Sequence, residues 1–318
     1  MRSAKEVSLQ INLFPGDYPH VRHILPHQLK TLSAQVDEII LTIDTKPSKG
    51  RFAAGWQEYS EIFEDFLHFE IKPFFNVRII PVDYNEKVKA AISNFFFNNS
   101  DMPGKDFRGG PFYAYFFGLY STTHDLVFHL DSDILLGGSS QKWITEARSI
   151  FDADPRCFTI SPLPGPPHPR GVLIGQPGAI KIGDYKYQFN GMSTRLFLLN
   201  KVAFRQQKLT INKPGLRDQL KAMVQGNPNA DLPEHIISAF MKKHNRTRID
   251  FLGSGSGLWS LHPPYRTKAF YEQLQSVVKL VELNQLPENQ NGFYDLIDEV
   301  CDWGEARTNL IRNRWWKN

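Results

Sequence analysis

The run Leu126-Val127-Phe128-His129-Leu130-Asp131-Ser132-Asp133 constrains the fold more than any other stretch of the chain. Its apolar, strand-forming residues read as a buried strand, and two carboxylates one residue apart stand at its end. Buried strands of parallel sheets end at the crevice where α/β proteins bind ligands, so the acids are expected at the mouth of such a crevice. Hard divalent cations such as Mg²⁺ and Mn²⁺ take carboxylate and phosphate oxygens, and a pair of acids there can tie a metal to a diphosphate. An Asp-x-Asp alone also occurs in many solvated loops. Here the strand before it, and Ile134-Leu135-Leu136 with Gly137-Gly138 after it, set it apart.

The flanking sequence supplies the rest of an α/β unit. Val7 to Phe14 reads as a first strand, Tyr18 to Ser33 as a helix with an interrupted apolar face, and Val36 to Asp44 as a second strand ending in an acid. Trp56 to Phe69 has helical spacing, and Phe75 to Val82 has strand composition. Asp, Asn, Pro, Gly and Arg between Asn98 and Pro111 mark a loop, and an aromatic helix over Phe112 to Tyr120 leads into the acidic strand. Alternating strands and helices predict a mostly parallel sheet. Further on, Pro162 to Pro169 reads as a rigid extended loop, and the glycine-rich Gly171 to Gly183 as a segment lining or covering the site. Phe197 to Phe204 and Leu232 to Lys243 read as helical or mixed, and Glu272 to Leu283 as an amphipathic helix. No internal repeat is visible, so one fold is expected.

With 41% hydrophobic and 22% charged residues in 318, the chain has the composition of a globular protein. A net charge of +4 favours anionic ligands but lacks the dense basic clusters of a nucleic-acid binder. Cys157 and Cys301 are far apart and have no Cys-x-x-Cys partner, which suits a reducing cytoplasm and gives no zinc site. The N-terminal residues do not resemble a signal peptide, and no run of about 18 apolar residues exists to cross a bilayer. A cytoplasmic location is expected. Arg307 to Lys317, with Trp315-Trp316, suits either contact with an anionic membrane surface or packing on the domain.

The pattern resembles the GT-A class of nucleotide-sugar glycosyltransferases, in particular the family 2-like members that contain Asp-x-Asp. The resemblance rests on Phe128 to Asp133, the Phe112 to Tyr120 helix, Phe189-Asn190-Gly191-Met192-Ser193-Thr194, Leu232-Pro233-Glu234-His235 and Leu258-Trp259-Ser260-Leu261-His262-Pro263, across residues 7 to about 265. It implies a Rossmann-like GT-A domain over 1–318, with a donor half (1–135), an acceptor half (136–265) and a C-terminal helical extension (266–318). It implies a metal-dependent, inverting hexosyltransferase that takes a nucleoside diphosphate sugar donor and a glycan, glycolipid or other hydroxyl acceptor, in a setting such as polysaccharide biosynthesis.

Residue by residue, the resemblance assigns the metal, Mn²⁺ or Mg²⁺, to Asp131 and Asp133, with His262 completing its coordination. Imidazole favours Mn²⁺, and a histidine packed in a Pro-rich turn is the alternative. For the general base it points to Glu234 first, then Asp231 and His235. The family's usual Glu-Asp is here Glu234-His235, and a helix cap with first-turn charge would equally account for Asp231 and Glu234. Asp44 is expected to meet the nucleotide base or ribose, or else to form a turn. Arg108 is expected to meet the diphosphate, or else to be a solvated loop charge. Trp259 is a candidate sugar platform, while Phe95-Phe96-Phe97 and Phe116-Phe117 read as core. A sugar-phosphate nucleotidyltransferase is the rival enzyme class. The place of its Gly-rich Gly-x-Gly-Thr-Arg loop holds Phe14-Pro15-Gly16-Asp17-Tyr18. A non-catalytic carbohydrate-binding protein is the other alternative.

Overall fold

The computed structural model describes residues 6–47, 55–98 and 100–315. The first half of the chain contains β1 (Val7–Leu13), α1 (Tyr18–Leu32), β2 (Glu38–Ile43), α2 (Trp56–Asp65), β3 (Arg78–Pro81), α3 (Glu86–Phe97), α4 (Tyr113–Ser121), β4 (Leu126–Asp131), β5 (Leu135–Gly138) and α5 (Trp143–Ala153). The second contains β6 (Cys157–Pro164), β7 (Ile180–Gly183), β8 (Lys186–Phe189), β9 (Leu196–Asn200), α6 (Ala203–Gln206), α7 (Leu216–Gln225), α8 (Pro233–Lys243), β10 (Thr247–Phe251), β11 (Leu258–Leu261), α9 (Lys268–Glu282) and α10 (Gly304–Trp315).

The main sheet runs β3-β2-β1-β4-β9-β6-β10-β8-β7. β1 pairs parallel with both β2 and β4, and β2 with β3. β9 enters antiparallel between β4 and β6, and β8 antiparallel between β10 and β7. All other strands of this path share one direction, as the α/β reading expects. A short side layer forms where β11 pairs with β5 and the end of β6.

Strand alternation divides the core between the two faces of the sheet. Leu126, Phe128 and Leu130 of β4 join Leu9 and Ile11 of β1 and the apolar side of α1. Val127 faces the other way, into an aromatic layer that includes Phe96, Phe97, Phe112, Phe116 and Phe197. The core role expected of the aromatic runs therefore holds at these positions. Truncating one such ring would leave a cavity costing about 3–5 kcal/mol.

Two readings of the second half are corrected and one is narrowed. Pro162 to Pro169 is not wholly a loop, because Pro162 and Pro164 lie in the fully buried β6. Its pairing with β9 stops at Ile160, so beyond that point one edge of the strand needs no N–H donor. Phe197 to Phe204 is mixed rather than helical: strand β9, a buried strand of the main sheet, is followed by the single turn α6. Trp259 is 1% exposed, within β11 and against Gly137, so close that a Cβ there would overlap its ring. It is core and offers no platform for a sugar.

Candidate functional site

The turn that carries the two aspartates is built by neighbours distant in sequence. The Asp131 N–H donates to Arg195 O at 2.7 Å, which pins the end of β4 to the start of β9. Gln28, fully buried on α1, donates its Nε2 to Asp131 O at 2.9 Å and Ile134 O at 2.8 Å, clasping both ends of the turn. Below it lies a buried polar layer. Thr42 Oγ1 donates to Asn12 Oδ1, Gln10 Nε2 donates to both of them, and Gln10 Oε1 accepts from His129 Nδ1 at 2.5 Å. His129 Nε2 then lies 3.5 Å from Asp131 Oδ1, so the buried layer reaches the Asp131 carboxylate without a hydrogen bond to it. Gly118 on α4 permits the arrangement, since a Cβ there would strike Gln10 Nε2.

Asp131 and Asp133 open onto a cleft of about 720 Å³ at the carboxyl ends of β1, β2 and β4, lined also by Asp17, Asp44, Arg195 and His262. Asp133 accepts from Arg266, yet its buried Oδ1 has no hydrogen-bond partner. Burial pushes the Asp131 carboxyl up, and Asp133 adds to it. Because the Asp131 side chain remains 41% exposed, solvent moderates that rise. Burial acts the same way on Asp133, but Arg266, with His262, His20 and Arg195, holds it below its ordinary value. At the cleft floor, burial and the charge of Asp133 push Asp17 up to about 7. Burial and Arg266 push His20 down to about 3.

Across Arg195 lies a second hollow of about 540 Å³, lined by Glu234, Arg248, Asp250, Ser260 and Tyr294 among others. Gln176, Pro177 and Gly178 border it, so part of the glycine-rich stretch does line a site. Arg195 lines both hollows and feels the charges of Asp131, Asp133 and Glu234. Arg248 and Asp250 pair at 2.9 Å on β10, and burial pushes Asp250 up to about 6. The Arg248 Nε and Asp250 Oδ1 of that pair still lack a hydrogen bond of good geometry.

Of the residues singled out in the sequence, Asp44, Asp131, Asp133 and His262 meet in the first hollow and Glu234 lines the second. Asp44 accepts from Tyr84 Oη at 2.6 Å and Lys105 Nζ at 2.7 Å, and from the Lys46 N–H as a turn-forming aspartate does. Asp231 and His235 bond to each other at 2.8 Å and line neither hollow. The helix cap position is held by Leu232, whose N–H donates to Asp231 Oδ1 at 2.8 Å, and Glu234 is the acid of the first turn of α8, as the helix-start alternative expects. Arg108 is exposed, over the Phe107 ring, and is not in the lining of the cleft. The arginines that do reach it are Arg195 and Arg266. His262 gives Nδ1 to Asp295 at 2.8 Å, leaving Nε2 for any further ligand. Among the described residues no group of three His, Cys, Asp or Glu side chains is arranged to hold a metal alone.

The missed residues come chiefly from outside the acidic motif. Arg195 sits just before the apolar run of β9, a position with no motif of its own. Arg266, Tyr271, Tyr294 and Asp295 belong to the segment after residue 265 and return to line the hollows.

No family model and no curated protein matches the sequence. Among solved structures, S. aureus TarS 1-349 in complex with UDP-GlcNAc aligns at 12% identity and TM-score 0.37, over 89% of this chain and 68% of that one. Glucosyl-3-phosphoglycerate synthase from Mycobacterium tuberculosis, in complex with Mn²⁺, UDP-glucose and glycerol 3-phosphate, aligns at 10% identity and TM-score 0.38, over 88% and 80%. A mycobacterial protein aligns at 12% and 0.37, over 88% and 75%. These likenesses are distant.

Proposed function

We propose that the chain is a GT-A-type glycosyltransferase that moves a sugar from a nucleoside diphosphate sugar to an acceptor hydroxyl with inversion. One observation carries the reading. A cleft with paired acids at the strand ends, one of them with a buried oxygen that has no partner, joins through Arg195 a second hollow that holds another carboxylate, Glu234. Residues 1–135 would supply the donor half and 136–265 the acceptor half, with the later segment completing both hollows.

The acids suit Mg²⁺ or Mn²⁺ of the kind held by one or two carboxylates plus substrate phosphates and water. Asp131 and Asp133 would hold it, with His262 Nε2 a candidate third contact, and Arg266 would have to share Asp133. When bound, such an ion supplies Lewis-acid stabilisation of the diphosphate. Arg195 adds fixed positive charge where negative charge grows on the leaving phosphates. Asp44 would accept a nucleoside hydroxyl. Glu234 would take the acceptor's proton as its oxygen bonds to the anomeric carbon and the diphosphate leaves from the opposite face. Glu234 is preferred over Asp231 and His235, which line neither hollow.

The test is Glu234→Gln, assayed with a panel of nucleoside diphosphate sugars. Donor binding is expected to survive and transfer to fall about 10²–10⁴-fold. Undiminished transfer would remove Glu234 as the base.

A further inference from the structure

We infer that α7 is a membrane-docking helix whose outward face rests on an anionic lipid surface. The helix follows Gly215 and displays Leu216, Leu220, Met223 and Val224 at 81%, 64%, 65% and 90% exposure. At about 100° per residue these four fall within one arc of about 100°, opposite the side on which Ala222 is buried. An apolar stripe turned away from the protein gains nothing from the fold, so something outside the described residues must account for it.

The charges around the stripe favour lipid as its occupant. Arg217 and Lys221, both exposed, fall along one border, where long cationic side chains reach lipid phosphates while their stems stay at the apolar edge. Lys213, also exposed, precedes the helix, and Asp218 lies half-buried beyond the border. A second copy is less suitable, because an antiparallel pairing of two such stripes about a twofold axis would bring the Arg217 and Lys221 borders together. Moreover, four side chains on a helix about 15 Å long fall short of the roughly 800 Å² per partner of a stable interface.

The helix is held in place by its ends. Leu209 N–H donates to Phe96 O, Asp231 N–H to Asn212 O, and Asn227 Nδ2 to Phe107 O. The 100–111 loop that receives the last of these carries Lys105, which pairs with Asp44 in the cleft. Three residues after Asp231 comes Glu234. The docking claim is independent of the chemistry proposed for the two hollows.

The test is co-sedimentation of the full chain with vesicles of phosphatidylcholine alone and of phosphatidylcholine mixed with phosphatidylglycerol. Binding is expected on the mixed vesicles and is expected to weaken with salt. Leu220→Glu with Val224→Glu should cut it at least about tenfold, and Arg217→Glu with Lys221→Glu comparably. All four positions are exposed, so both variants should keep the parent's unfolding midpoint. A midpoint drop would move the comparison to Leu220→Ser with Val224→Ser. Wild-type protein left in the supernatant of the mixed vesicles would overturn the inference, as would equal binding by the variants. A dimer in light scattering that the Leu220→Glu and Val224→Glu changes convert to monomer would overturn it in favour of a second copy.

Discussion

At the scale of single residues, the acids of β4 depend on a side chain that never touches the cleft contents. Gln28 satisfies two carbonyls of the Asp131–Ile134 turn from a buried position on α1. Gln28→Leu would leave both without a donor, and each unsatisfied buried acceptor costs about 1–3 kcal/mol. The variant is expected to unfold at lower temperature and, beyond that loss, to bind nucleotide with metal more weakly, because the carboxylates would no longer be held in register. Titration of that binding below the variant's own unfolding range would check it. Asp131 and Asp133 were legible in the sequence because the end of one strand and the turn directly after it place both. Gln28, Arg195 and Arg266 were not, since each reaches the turn from a remote segment and no short spacing records such a meeting.

Among elements, the N-terminal strands and α1 could be read from periodicity within a residue or two. β6 and β9 could not, because a strand buried on both faces shows a continuous apolar run that a helix segment also shows. The seam between α1, α9 and β5 carries a pH-dependent contact. His27 places Nδ1 3.1 Å from Glu282 Oε1 while its Nε2 accepts the Leu136 N–H at 3.0 Å, a pair of bonds that needs the neutral ring. Burial outweighs Glu282 and holds the His27 pKa below its usual 6.5. An unfolded chain takes up a proton near pH 6.5 while the folded one does not. Stability from this site is therefore full above about pH 6.5 and lost as the pH falls below it. The unfolding midpoint should decline from neutral to mildly acidic pH, and the decline should be shallower in His27→Gln. An equal slope in the two proteins would remove His27 from the account.

For the whole molecule, the sheet order explains why the site lies where it does. Parallel strands β1, β2 and β4 end together at the first hollow, while the antiparallel β9 brings Arg195 back to the same edge and separates it from the second. The α/β class was visible in the alternation of strands and helices. The return of the residues after 265 to the site was not, because an amphipathic helix such as α9 states which face is buried and not what it is buried against. Trp316–Asn318 lie outside the described residues, as do the side chains from 313 on, and with them most of the tail read as meeting a membrane surface or packing on the domain. Within the described part, Arg307 donates two bonds to Asp298, and no helix is long and apolar enough to cross a membrane. The central claim is that the acid-lined cleft binds a nucleoside diphosphate through a divalent ion. Its most direct test is calorimetric titration with nucleoside diphosphates and their sugars, with and without Mn²⁺, on the wild type and Asp133→Ala. Binding of one nucleotide class that needs Mn²⁺ and weakens at least about tenfold in Asp133→Ala, with the unfolding midpoint kept, is predicted. Binding indifferent to Mn²⁺ and to Asp133, or no binding of any nucleotide in the panel, would contradict it.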